Sequence, residues 1–245
     1  MTTRNYDLAV AIGGEAGQGI ATPGDILARI FVRRGLHLNA YNAYQSIIRG
    51  GHIFLTVRVS DEECPTHGDK LDILLCLNQD TMDRHLHLMG PGSKVIYNSD
   101  TIEPGEAAEG VGLCPIPVSE LSQSRNRLIQ NTIAVGVMSA LVGLEFETIE
   151  DSLSLRFQRQ GEKIVSENVS VARAGYDYAL ENFDAFPELL PSGEKPLGVW
   201  AGNDAVAMGA AAAGVKFYAA YPMSPSSGIL HWMAQNARNL GIMVR

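Results

Sequence analysis

Two hydrophobic rhythms alternate along the chain. Tyr6 to Ile12 is an apolar, strand-length run that stops at Gly13-Gly14-Glu15-Ala16-Gly17-Gln18-Gly19. A helical rhythm follows, with Ile26, Leu27, Ile30 and Phe31 on one face. Thr22 is its expected cap, Pro23 its first residue, Asp25 an acid of its first turn and Gly35 its stop. Leu36 to Tyr41 reads as a short strand. Gly50-Gly51 bends the chain, and His52 to Val59 alternates as a strand with Ile53, Leu55, Val57 and Val59 to one side. Ile73 to Leu77 is wholly apolar, the pattern of a strand buried on both faces. A helix after Asn78 runs to about Leu88, Pro91-Gly92 turns the chain, and strands follow at Lys94 to Tyr97 and Val111 to Ile116. Helices are expected over Asn126 to Val142, with Leu128, Ile129, Thr132, Ile133, Val137 and Leu141 buried, then over Glu147 to Arg159 and Lys163 to Leu180. Strands alternating with helices imply an α/β fold, a mostly parallel sheet with helices on both faces. Ligands on such sheets bind at the carboxyl ends of strands, where Gly13–Gly19 and Asn78–Asp80 both fall.

The pattern then breaks. Pro187, Pro191, Gly193 and Pro196 interrupt any regular element, so residues 183–196 read as a protease-sensitive linker between a domain over 1–182 and a second unit over 197–245. In that second unit Asn203 is the expected cap of a small alanine-rich helix ending at Gly214, and Lys216 to Ala220 is a strand. Tyr221-Pro222-Met223-Ser224-Pro225-Ser226-Ser227 is a stiff loop before another helix. So short a unit cannot close its own core and reads as the incomplete start of a second α/β domain.

Composition narrows the function. Hydrophobic residues make up 46% of the 245 residues, enough for a real core, and the net charge of −8 argues against a nucleic-acid surface. No apolar run is long enough to span a membrane, and Met1 to Asn5 lacks the apolar core of a signal peptide. Cys64, Cys76 and Cys114 lie far apart, without metal spacing or a disulfide framework, which suits a reducing cytoplasm. His85 and His87 are two apart on an expected helix, so they face different ways and read as a solvated face rather than a metal pair.

The glycine stretch carries chemistry in one of two ways. It lets backbone N–H groups at a helix start approach an anion such as a phosphate, or it is a tight turn needing glycine for positive φ and close packing. It is not a P-loop, because Gly19 is followed by Ile20 and Ala21. It is not the dinucleotide fingerprint either, because the next strand carries Asn39 and no acid. Arg49 is the nearest cation, either for an anionic group or simply for tying down its own loop or meeting a partner subunit.

Two sets of motifs resemble the 2-oxoacid:acceptor (ferredoxin) oxidoreductases. Gly13 to Ile20, Gly24-Asp25-Ile26-Leu27-Ala28, Gly35 to Tyr41 with Tyr44, Arg49-Gly50-Gly51-His52, Asn131 and Ala172-Arg173-Ala174-Gly175-Tyr176 are similar to that family's gamma domain. Gly202-Asn203-Asp204-Ala205-Val206-Ala207-Met208-Gly209-Ala210 and Tyr221 to Ser227 are similar to the opening of its alpha, or pyrimidine-binding, domain. The order is that of the fused gamma–alpha subunits, here cut off early in the alpha domain.

The resemblance implies coenzyme A-dependent oxidative decarboxylation of a 2-oxoacid, 2-oxoglutarate or similar, on thiamine diphosphate, with electrons leaving through iron–sulfur clusters. It makes Ser224 a catalytic candidate, with serine where threonine is usual, and makes Tyr221, Pro222 and Ser226 neighbours of the cofactor. It also suggests that Gly13, Gly14, Gly17 and Gly19 face the diphosphate of coenzyme A, although Ala16 stands where glycine is frequent. Cysteine-rich cluster motifs and the Gly-Asp-Gly diphosphate and magnesium motif are absent from this sequence. The expected partners are therefore a beta subunit carrying thiamine diphosphate with Mg and a ferredoxin-like iron–sulfur subunit, in a hetero-oligomer or homo-oligomer. The alternative is a stand-alone gamma-like module that binds a nucleotide or docks to a partner without redox activity.

Overall fold

The structure is a computed structural model that describes residues 5–43, 50–122 and 126–245. The chain divides into two compact units at 197/198. In the first, β1 (Asp7–Ala16), β2 (His37–Ala43), β3 (Gly50–Ser60), β4 (Ile73–Cys76), β5 (Lys94–Asn98) and β6 (Gly112–Ile116) form one sheet in the order β2-β3-β1-β4-β5-β6. The β1–β4, β4–β5 and β5–β6 pairings are parallel, and β1–β3 and β2–β3 are antiparallel. The sheet is thus mostly parallel, as the alternation of strands and helices predicts.

The period of two along the strands sorts side chains between two cores. Val10, Ile12, Leu55, Ile73, Leu75 and Ile96 point to one face. There they meet α1 (Ala21–Arg33), α4 (Arg127–Leu141), α5 (Phe146–Phe157) and α6 (Glu162–Asn182). Ala11, Leu74, Cys76, Val95 and Tyr97 point to the other face, where α2 (Gln79–His85) supplies Met82. A short α3 (Val118–Leu121) leads towards α4. Full burial of side chains such as Phe31, Leu27 and Ile133 contributes about 1.5–3 kcal/mol each.

β1 runs further than its apolar stretch suggests. It continues through Gly13 and Gly14 to Ala16 because β3 pairs with it along that length, Gly13 opposite Phe54 and Gly14 opposite Ile53. The turn therefore shrinks to Gly17–Gly19, with φ of +96° at Gly17 and +84° at Gly19. The helix starts at once. Ile20 takes the cap position, Thr22 lies inside the first turn with its N–H on Gly19 O, and no acid falls in that turn. Asp25 instead pairs with Arg29 one turn on, at 2.9 Å.

Residues 183–196 are not a free linker. Phe186 N–H donates to Leu141 O, Leu190 N–H to Val142 O, Gly193 N–H to Arg34 O and Leu197 N–H to Val32 O, at 2.6–2.9 Å. Arg34 adds a donation to Pro191 O at 3.3 Å and an ion pair with Glu145 at 2.8 Å, and Leu190 is buried. The prolines exclude helix and strand but leave enough N–H groups to bind the segment to the ends of α1 and α4. The first unit therefore reaches Leu197.

The second unit holds α7 (Gly202–Ala212), β7 (Phe217–Tyr218), α8 (Ser227–Leu240) and β8 (Met243–Val244), with β7 and β8 parallel. Its core is Ala207, Met233 and Ile242, ringed by half-buried Tyr218, Ile229 and Trp232. Asn203 does not cap α7. Ala201 holds that position, and Asn203 sits one residue inside the helix, donating from Nδ2 to Pro225 O at 2.7 Å.

Candidate functional site

Strand ends build the site. A cavity of about 400 Å³ opens where β1, β4, β5 and β6 end, closed on one side by α4. Leu75, Ile96, Ile116, Ile133 and Ala134 give it apolar walls, and carboxamides give it a polar rim. Among the described residues, no Asp, Glu, Lys, Arg or His lines it.

Four of the lining carboxamides, Asn78, Asn98, Gln18 and Asn131, bond the backbone around them. Asn78 Oδ1 accepts from Thr81 N–H at 3.0 Å and Thr81 Oγ1–H at 2.7 Å, which caps α2. Asn98 Oδ1 accepts from Asp100 N–H at 2.9 Å. Gln18 Oε1 accepts from Glu15 N–H at 2.6 Å. Asn131 reaches across from α4 and donates to Gln18 O at 2.5 Å, which ties the glycine turn to that helix. Cys76 also lines the cavity, but burial pushes its thiol up to about 12, so it offers no thiolate.

The glycines expected at this site divide. Gly17 lines the cavity, and a Cβ there would meet nothing within 4 Å. A Cβ at Gly19 would lie 2.6 Å from Leu128 Cδ2, so Gly19 lets α4 approach the turn. Gly13 and Gly14 are strand residues, covered by Thr81 and by Gln18, Ile20 and Leu77, and close packing accounts for them. Arg49 and Tyr44 lie outside the described residues. Leu128, expected in the core, is 54% exposed at the mouth of the cavity. Sequence reasoning did not single out Gln18, Asn98 or Asn131 as lining residues. The available signal was an asparagine directly after a strand, as in Leu77-Asn78 and Tyr97-Asn98.

His85 is not on a solvated face. It stacks on Phe54 with centroids 4.2 Å apart, and its Nε2 lies 2.7 Å from Nε2 of His52. His52 Nδ1 points at Asp80 Oδ2, 3.6 Å away. One of the two facing Nε2 atoms donates to the other. Only one proton fits between the rings. Burial first, then the neighbouring His52, His87 and Arg84, lowers His85 to about 4, and burial also lowers His52. A base whose folded value is depressed binds fewer protons folded than unfolded, so stability is lost as pH falls through the window from 6.5 to about 4. The thermal midpoint of the chain should fall across that window, and His85→Gln should flatten the fall. An unchanged pH profile in His85→Gln would show that the pair carries no such linkage.

In the second unit, Tyr221 to Ser226 is exposed, with Tyr221 at 81%. Ser226 Oγ donates to Met223 O at 3.0 Å, and Asn203 holds Pro225 from beneath. A Cβ at Gly228 would lie 2.7 Å from Asn203 Nδ2, so the small residue admits that contact. Ser224 has no side-chain partner among the described residues, which leaves its hydroxyl available. The Gly202-Asn203 and Tyr221–Ser227 motifs are therefore one local structure.

Comparison with known proteins decides the family. The model of the pyruvate ferredoxin/flavodoxin oxidoreductase family matches residues 9–178. The chain belongs to that family. The alpha subunit of 2-oxoacid:ferredoxin oxidoreductase 2 from Aeropyrum pernix is 26% identical over 90% of this chain and 42% of its own length. Ketoisovalerate oxidoreductase subunit VorA from Methanothermobacter thermautotrophicus is 31% identical over 73% of this chain and 38% of its own. A solved 2-oxoglutarate:ferredoxin oxidoreductase from Magnetococcus marinus superposes with a TM-score of 0.87 at 28% identity, over 98% of this chain and 43% of that one. The gamma subunit of a keto/oxoacid ferredoxin oxidoreductase from Geobacter sulfurreducens, 23% identical with a TM-score of 0.56 over 71% of this chain and 99% of its own, shares the fold. The chain thus spans about two-fifths of the length of the longer relatives. No described helix is long and apolar enough to cross a membrane.

Proposed function

We propose that this chain is the gamma–alpha part of a 2-oxoacid:ferredoxin oxidoreductase that converts a 2-oxoacid and coenzyme A into acyl-coenzyme A and CO2, passing two electrons to iron–sulfur acceptors. The observation that carries the reading is the Asn203–Pro225 contact, which makes one site-like structure of the two alpha-domain motifs. A docking module has no use for an exposed, braced loop that presents a free serine hydroxyl. The likeness to the Magnetococcus marinus enzyme, described with 2-oxoglutarate, coenzyme A and succinyl-CoA bound, supports 2-oxoglutarate or a similar substrate.

Thiamine diphosphate, held with Mg by a partner beta subunit, would supply the carbanion chemistry. The residues here bind and orient. Ser224 Oγ–H donates to the substrate carboxylate or a developing oxyanion, and Tyr221, Pro222 and Ser226 shape the pocket around it. In the first unit, the Gly17–Gly19 turn at the cavity mouth takes the diphosphate of coenzyme A on backbone N–H groups.

The test is reconstitution. The purified chain with 2-oxoglutarate, coenzyme A and a viologen dye should give no reduced dye. Co-purification with the chains encoded beside it, one bearing the diphosphate motif and one rich in cysteine, should give 2-oxoacid-dependent reduction. Turnover by the chain alone, or none by the complete set with any 2-oxoacid, would overturn the reading.

A further inference from the structure

The sheet of the first unit has two outer edges, and they differ. β1 gives the carbonyls of Ala9 and Gly13 to the N–H groups of Asp72 and Leu77 on its β4 side, at 2.8 and 3.0 Å. Backbone groups alternate in direction along a strand, so Leu8, Val10 and Ile12 serve β3. Their partners Val59, Val57 and Leu55 are thereby used, and Ser60, Arg58, Thr56 and Phe54 face β2. There they meet His37, Asn39, Tyr41 and Ala43. Leu38, Ala40 and Asn42 are left with N–H and C=O groups pointing out of the sheet, and among the described residues nothing bonds them.

β6, at the far edge, is protected. Gly112 N–H donates to Ser93 O at 2.8 Å and Ile116 O accepts from Ser99 N–H at 3.0 Å, so Gly112, Cys114 and Ile116 face β5. Leu113 and Pro115 face outward, and proline has no N–H to offer an incoming strand. β2 has no such guard. Its seven residues, His37-Leu38-Asn39-Ala40-Tyr41-Asn42-Ala43, hold no proline, lysine or carboxylate. Ala40, Tyr41 and Asn42 are exposed, with the Tyr41 ring stacked on His67 at 4.6 Å.

The strand is also complementary to itself. With Ala40 on a two-fold axis, an antiparallel copy sets Ala40 opposite Ala40, Leu38 opposite Asn42 and Asn39 opposite Tyr41. Leu38, Ala40 and Asn42 are the outward-facing residues, so every N–H on one edge finds a C=O on the other. The small residue falls on the axis, where a large side chain would meet itself, and a carboxamide faces a phenol on either side. The net charge of −8 opposes self-association, but this edge carries no charge. An extended segment of another protein would need no symmetry about Ala40, so the self-matching register selects a second copy. We propose that the β2 edge pairs antiparallel with β2 of a second copy of this chain, joining two six-stranded sheets into one. An edge so short buries less than about 1,200 Å², so the dimer is reversible and depends on concentration.

Sedimentation velocity of the 245-residue chain from about 10 µM to about 1 mM tests it, together with amide exchange followed by NMR. The weight-average sedimentation coefficient should rise with concentration toward that of a dimer. Exchange at Leu38, Ala40 and Asn42 should slow as the dimer forms, while Asn39 and Tyr41, bonded to β3, stay protected throughout. Ala40→Lys sets two like charges across the axis. It should weaken the dimer at least about tenfold at low salt, an effect that fades at high salt, with the melting temperature of the dilute chain unchanged. Leu113→Lys on the β6 edge is the control and should leave the dimer as it is. A chain that stays monomeric to about 1 mM, a dimer of equal strength in Ala40→Lys at low salt, or exchange at Leu38, Ala40 and Asn42 that ignores concentration would overturn the proposal.

Discussion

Gly136→Val and Gly175→Val should each remove a large part of the stability of the first unit. α4 and α6 cross where both helices carry glycine. A Cβ on Gly136 would run into Ala172 O and lie 2.9 Å from Tyr176 N, and a Cβ on Gly175 would run into Ile133 O. These are backbone atoms of a helix, so no rotamer change relieves the overlap and the helices must part. Parting them opens the apolar seam of Ile133, Val137, Val171 and Ala172 and stretches the buried Thr132–Asn168 hydrogen bond of 2.7 Å. Overpacking alone costs about 1–3 kcal/mol, and the lost hydrogen bond and loosened core bring the expected loss to about 3–5 kcal/mol, a large part of a domain's 5–15. Urea unfolding followed by circular dichroism measures it. Gly209→Ala in α7 is the control, because a Cβ there meets nothing within 4 Å, and it should be neutral or stabilising. A Gly136→Val protein within about 1 kcal/mol of the parent would show that the crossing yields more readily than its geometry implies.

The same crossing shows what the sequence could and could not convey. Period and length place α4 and α6 to within a few residues, and the two faces of β4 follow from an unbroken apolar run. What sets the helices face to face at backbone distance is a pair of glycines 39 positions apart, and no local pattern couples positions so distant. The glycine stretch after β1 was misplaced for a related reason. Gly13 and Gly14 look like a turn in a linear reading, but an antiparallel partner, β3, keeps them in the strand. The linker was misjudged because proline content reports the absence of regular structure, not the absence of hydrogen bonds to other segments. The prolines mark Tyr221–Ser227 as a stiff loop, but its role is legible only as a resemblance. Its brace, Asn203, sits 22 positions before Pro225 and looked like an ordinary helix cap.

Ser224→Ala in the assembled enzyme should lower kcat/KM for the 2-oxoacid by about tenfold to a hundredfold. The loop that carries Ser224 is held by Asn203 on Pro225 O and by Ser226 on Met223 O, not by Ser224 itself. Removing the hydroxyl therefore leaves the loop's own bonds intact and takes away only a donor. A donor lost from a carboxylate or oxyanion in a water-poor pocket costs about 1–3 kcal/mol, which is that fold-change. The split between the parameters tells which charge the hydroxyl meets. A loss in KM alone assigns it to the ground-state carboxylate, whereas equal losses in kcat and kcat/KM assign it to charge that develops only in the transition state. Ser224→Thr should retain or improve the rate, since threonine keeps the donor and its methyl restricts χ1. Asn203→Ala is the structural counterpart. It removes the brace and should slow the reaction through the whole loop, with a lowered melting temperature that Ser224→Ala does not show. Unchanged kinetics in Ser224→Ala would make the serine a structural residue, and a loss in Ser224→Thr equal to that in Ser224→Ala would mean that shape at this position, not the hydroxyl, is what the reaction needs.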